Sequence, residues 1–204
     1  MHPIITPQII NAGFSYSDFR KHVVALLAEG KTTGPDQSRF MTELTQHNLV
    51  RMDHAEAIPV LPELVESLNN LPRNVTWLVI NEAWCTDASH HVPVLASLAA
   101  CSPKVDLRII LRSDYPEVMD AYLTNGGRSI PKLVCVDAET LTELGTWGPR
   151  PINAQELAIR LKKEENLHIT EVIKQMDMWA YNDKGHSLQT EFLELVKTWS
   201  AAGN

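Results

Sequence analysis

Cys85 is the residue best placed to do chemistry, because Trp84-Cys85-Thr86-Asp87-Ala88 lies where the apolar run Val75 to Asn81 gives way to helical spacing. A cysteine at a helix start faces unsatisfied backbone N–H groups and the positive end of the helix dipole, both of which favour thiolate over thiol. That setting suits a nucleophilic sulfur, and the same position also suits a buried, inert cysteine at a strand-to-helix turn. Asp87 acts in two directions, since a carboxylate in the first turn gains from the dipole yet disfavours a thiolate beside it. The other two cysteines are poor partners. Cys101 follows the same helix, whose ends lie roughly 20 Å apart, beyond disulfide reach. Cys135 sits in an apolar run that reads as core, and the chain has no CxxC pair. His90 and His91 follow Cys85 by five and six residues and point to other helix faces, so no metal site is expected there.

The elements that must position Cys85 follow from the spacing of apolar residues. Strands are predicted at about 75–81, 105–111, 132–137 and 142–147, with helices at 86–100, 116–124 and from about 154 to 165. Asn153, with Glu156 three residues on, reads as the N-cap of the last of these. The order β-α-β-α-β-β-α implies an α/β fold with a mixed central sheet flanked by helices. Upstream, Phe19, Val23, Leu26 and Leu27, then Leu61, Leu64, Val65 and Leu68, recur at helical spacing, with Ser17 as a candidate N-cap. The stretch from Pro35 to about Ala57 is polar, helix-compatible and weakly periodic. Two amphipathic segments follow Asn166, joined by Asn182-Asp183-Lys184-Gly185. The expected organisation is an N-terminal helical extension (1–71), an α/β core (72–165) and C-terminal helices (166–204) packing on that core.

Trp84 and Cys85, Pro93 eight residues beyond the cysteine, and Ser129-Ile130-Pro131-Lys132 entering the run Leu133 to Val136 together resemble the thioredoxin superfamily. The resemblance spans roughly residues 72–165, and WCTDA looks like a bacterial subgroup of thioredoxin-like proteins. It implies a thioredoxin-like fold, a cis peptide bond between Ile130 and Pro131, a catalytic role for Cys85, and substrate binding by Trp84, Thr86, Asp87, Ile130 and Pro131. The departures are equally specific. Ala88 stands where the family places its second, resolving cysteine, and Val79 stands where many members hold a buried acid. Gly126-Gly127-Arg128 reads as the turn that delivers Pro131 to Cys85, and Trp84 and Trp147 as either an apolar collar or core.

A formal charge of -7 and the lack of any Lys/Arg run argue against a nucleic-acid surface. No signal-peptide pattern or membrane-length apolar window is present, and three cysteines without framework spacing suit a reducing compartment, so a cytoplasmic protein is expected. No cofactor is expected either. The expected function is a redox, monothiol oxidoreductase in which Cys85 forms a mixed disulfide with a protein or a low-molecular-weight thiol or disulfide, resolved by an external thiol; the alternative is a redox-inactive module that binds an extended peptide or protein segment.

Overall fold

In a computed structural model, which describes residues 4–163 and 167–202, four helices precede the sheet: α1 (Pro7–Ala12), α2 (Tyr16–Ala28), α3 (Arg39–Glu56) and α4 (Pro62–Asn69). Then come β1 (Val75–Asn81), α5 (Thr86–Ala100), β2 (Val105–Leu111), α6 (Pro116–Ala121), β3 (Lys132–Asp137) and β4 (Glu143–Trp147). Helices α7 (Ile152–Lys163), α8 (Ile169–Asp183) and α9 (His186–Ala201) follow. The strands form one sheet in the order β2-β1-β3-β4. β1 runs parallel to β2 and antiparallel to β3, and β3 is antiparallel to β4. The fold is thus α/β with a mixed sheet and flanking helices. None of the described helices is long and apolar enough to cross a membrane.

Every residue of β1 is buried, as its unbroken apolar run requires of a strand covered on both faces. The N-terminal helices join the same core through Phe19, Val23, Met52, Leu64 and Leu68. Helix α9 closes on the sheet with Phe192 and Trp199, whose rings lie 5.2 and 6.1 Å from Trp77 of β1. A Cβ at Gly145 of β4 would stand 2.4 Å from the Trp199 indole nitrogen, so the helix docks where the strand has no side chain. Helices α7 and α8 make a smaller cluster of their own, around Ala154, Ala158, Leu161, Val172 and Met176.

Several local expectations are corrected. Ser15, not Ser17, caps α2: its hydroxyl oxygen accepts the Asp18 N–H at 3.1 Å and its O–H donates to the Asp18 carboxylate at 2.8 Å. Helix α7 starts at Ile152, which puts Asn153 inside its first turn, where the amide side chain donates to Ser187 at 2.7 Å. Helix α6 stops at Ala121 rather than 124: Tyr122 has already left helical backbone, with φ of -124° and ψ of 40°, and Thr124 pairs with Gly127 across the Asn125-Gly126 turn. The weakly periodic stretch holds α3, begun by a Ser38 cap. The expected boundary at 165/166 and the end of the helix predicted to 165 lie outside the described residues.

Candidate functional site

The site forms where β1 ends and α5 begins. After Asn81 the chain turns through Glu82, Ala83 and Trp84, and the Cys85 N–H donates to the Glu82 carbonyl at 3.1 Å. Cys85 is the N-cap of α5, with an extended backbone and no side-chain cap bond, so its sulfur is released to point elsewhere. It points at the loop before β3: the Cys85 thiol donates to the Ile130 carbonyl at 3.2 Å. The Ile130–Pro131 peptide bond is cis, and Ile130 is 5 % exposed against 8 % for Cys85. Residues 45 positions apart therefore share one buried contact.

Burial pushes the Cys85 thiol up to about 12, and the Asp87 carboxylate adds to the rise. The backbone N–H groups of Ala88 and Asp87 and the Arg150 guanidinium act the other way and do not overcome it. The helix start does favour thiolate, as the sequence implies, but desolvation of an enclosed sulfur is the larger effect. At neutral pH the site holds a protonated thiol.

Asp87, in the first turn of α5, is ion-paired with Arg150 from the segment after β4. That segment also touches the proline loop. A Cβ at Gly148 would lie 2.3 Å from the Pro131 carbonyl oxygen, and Gly148 has φ of 107°, so only glycine fits there. The Gly148–Pro149 bond is a second cis bond. Thr86 is half-buried, and its carbonyl accepts the Ser89 hydroxyl at 2.7 Å. Trp84 is half-buried at the rim, with the Arg112 guanidinium 4.8 Å over its ring. Arg112 in turn donates to the Arg128 carbonyl at 3.1 Å, tying the end of β2 to the proline loop.

The structure thus brings together Trp84, Cys85, Thr86, Asp87, Ile130 and Pro131. It separates the rest. Trp147 is 5 % exposed and packs against Phe192 in the core, so it forms no collar. Cys101 caps the far end of α5, and Cys135 is fully buried in β3 opposite Trp77. His90 and His91 diverge, the first to Asp177 at 2.8 Å and the second to the Trp147 ring at 5.7 Å. Val79, at the position of the family's buried acid, is core. Three groups escape sequence reading: Arg150, Arg112 and Glu82. Glu82 is 1 % exposed and accepts the Ser113 N–H at 2.8 Å through Oε1. A carboxylate directly after the apolar run of β1 is the one signal that could have flagged it; nothing in the spacing links Arg150 to Asp87.

Two solved structures share the fold. One is a crystal structure of a protein of unknown function from Pseudomonas aeruginosa, 17 % identical with a TM-score of 0.58, over 93 % of this chain and 95 % of that one. The other is a crystal structure of an HIV epitope scaffold, 17 % identical with a TM-score of 0.57, over 93 % and 96 % of the two chains. No curated protein matches. The sequence model of the family described as thioredoxin matches residues 34–166, a span that begins in the N-terminal helical region and takes in all four strands, Cys85 and Pro131. The chain belongs to that thioredoxin family.

Proposed function

We propose that this chain is a thioredoxin-fold binding module that holds an extended segment of a partner protein along the groove between Trp84-Cys85 and Ile130-Pro131, without electron transfer. The observation that carries this reading is the enclosed Cys85 thiol, 8 % exposed and donating to the Ile130 carbonyl. A sulfur held as thiol is a poor nucleophile. Ala88 supplies no resolving thiol, and the other cysteines lie in β3 and at the far end of α5. The Ile130 N–H bonds to no other described residue, which leaves a backbone donor for an added strand. Three free cysteines suit a reducing compartment such as the cytoplasm.

One observation favours the monothiol reading: the backbone N–H groups of Ala88 and Asp87 lower the pKa of Cys85. If a partner drew the thiol away from Ile130, the sulfur could lose its proton to solvent and attack a disulfide RSSR. That step forms Cys85–S–S–R and expels RS⁻, and an external thiolate must then attack the mixed disulfide to restore Cys85. The two readings separate in the iodoacetamide alkylation rate of Cys85 against pH, followed by peptide mapping. A binding module gives a rate far below that of free cysteine at pH 7, still rising above pH 10. A midpoint below about 8.5, the free thiol value, overturns the binding module in favour of the monothiol enzyme.

A further inference from the structure

A pocket of about 580 Å³ opens between the loop after α2, the turn that leads from β1 to Cys85 and the segment joining β2 to α6. Gly34, Glu82, Arg112, Ser113, Asp114 and Arg128 border it. It continues from the groove at Cys85, because the Arg112 guanidinium lies 4.8 Å over the Trp84 ring and donates to the carbonyl of Arg128, in the loop that carries Ile130. One wall therefore serves both.

Glu82 is the group in this wall left incomplete. It is 1 % exposed, its Oε1 accepts the Ser113 N–H at 2.8 Å, and its Oε2, also buried, has no hydrogen-bond partner among the described residues. Buried polar atoms ordinarily have partners, and a buried carboxylate is ordinarily matched by a cation. Gly34 leaves room beside it. A Cβ there would stand 3.4 Å from Glu82 Oε2 and 3.4 Å from the Trp84 indole nitrogen, so the two polar atoms face the space that the glycine leaves empty.

The charges bordering the pocket leave a negative excess. Arg128 is matched by Asp120, to which its Nε and one terminal nitrogen donate at 2.6 Å each. Arg112 meets a ring and a carbonyl, and Asp114 meets only the Ser113 hydroxyl, at 3.4 Å. Two carboxylates thus stand against one unmatched guanidinium, in a chain whose formal charge is -7. That field favours a cation over an anion.

We propose that this pocket receives a basic side chain, arginine or lysine, of the partner segment held at Cys85, with an N–H of that side chain donating to Glu82 Oε2. The assignment rests on the binding-module reading of the groove and adds the class of partner, an extended segment carrying a basic residue. A neutral side chain would leave the Glu82 carboxylate without a counter-charge. An acidic one would meet two carboxylates with only Arg112 to offset them.

The test uses the full chain, isotope-labelled for nuclear magnetic resonance, and three acetylated, amidated alanine pentapeptides with arginine, lysine or citrulline at the centre; citrulline is the neutral isostere of arginine. The stronger of the two cationic peptides is expected to move the Ile130 N–H, the Ser113 N–H and the Glu82 carboxyl carbon together and saturably. The citrulline peptide should bind about tenfold more weakly, for want of a charge-assisted hydrogen bond. Glu82→Gln, which keeps an acceptor for Ser113, should remove that difference. Equal affinity of all three peptides, a preference that survives Glu82→Gln, or movement of Ile130 without Ser113 and Glu82 overturns the pocket while leaving the groove standing. No movement of Ile130 with any peptide removes the groove reading and this proposal with it. If Glu82→Gln does not fold, the Glu82 carboxyl carbon of the unmodified chain decides: a shift with a cationic peptide and none with citrulline supports the pocket, and the same response to all three refutes it.

Discussion

Arg150, from the segment after β4, closes on Asp87 in the first turn of α5 and pairs with the carboxylate that raises the Cys85 pKa. Both side chains are mostly buried, at 14 % and 20 % exposure, so their fields reach the sulfur with little screening. Asp87 raises the Cys85 pKa and Arg150 lowers it. Asp87→Asn should therefore speed alkylation of Cys85 at fixed pH, and Arg150→Met should slow it. While the pH stays below the pKa, a thiol more acidic by one pH unit carries about ten times as much thiolate and reacts about tenfold faster. Equal rates in wild type and both variants at pH 8 would show that this pair does not control the thiol.

His91 makes stability depend on pH on the acid side. Its pKa falls from the ordinary value of 6.5 to about 3 in the fold, mainly through burial. The unfolded chain therefore binds a proton that the folded chain refuses between those values, and stability falls as pH drops through that window. The slope approaches about 1.4 kcal/mol per pH unit. Asp177, Asp137 and Asp120, whose carboxyls are lowered from 3.8, join only further down. Urea titrations of wild type and His91→Leu should diverge in slope between pH 6.5 and 4 and run parallel above pH 7. Parallel curves throughout would place His91 in contact with water.

Much of this site is legible in the sequence because its parts lie at element ends. The predicted spans 75–81, 86–100 and 105–111 coincide with β1, α5 and β2, since a run of apolar residues, a helix stripe and a second run follow one another without ambiguity. Cys85 and Ile130 meet because the antiparallel pairing brings the end of β1 beside the start of β3. The Asp87–Arg150 pair is not legible, because 63 residues separate its members and only packing brings them together. Nor is the state of the thiol: the helix start, visible in the sequence, argues for thiolate, whereas enclosure by Ile130 appears only in three dimensions. The setting of His91 is hidden for the same reason, since helical spacing places it on a face without saying that Trp147 of β4 packs against it.

Helix α9 is expected to be indispensable to the core. Phe192 is fully buried and its ring meets Trp77, Trp147 and Trp199 at 5.2, 5.6 and 5.7 Å. Phe192→Ala should cost about 3–5 kcal/mol, a fall in melting temperature on the order of 10 °C for a chain of this size. Ile152→Ala, at a residue 68 % exposed, should stay within about 0.5 kcal/mol. An unchanged melting temperature in Phe192→Ala would mean that α9 does not dock on the sheet in solution.

Ala88→Cys tests whether the frame around Cys85 still supports exchange. Ala88 is 1 % exposed in the first turn of α5, and its N–H faces the Cys85 sulfur. A thiol introduced there would lie one helical turn from Cys85 and could attack a mixed disulfide that the wild type must leave to an external thiol. With oxidised glutathione, wild type should give at most a slow adduct at Cys85 that persists until thiol is added. The variant should lose the adduct spontaneously, release glutathione and close an internal disulfide between position 88 and Cys85. Peptide mapping under non-reducing conditions distinguishes these products. In insulin reduction with dithiothreitol the variant should outpace wild type, because a second sulfur replaces the bimolecular resolving step by an intramolecular one. If the variant is as slow as wild type, enclosure of the sulfur against Ile130, rather than the missing cysteine, limits exchange, and the groove has been closed to disulfide chemistry by its packing.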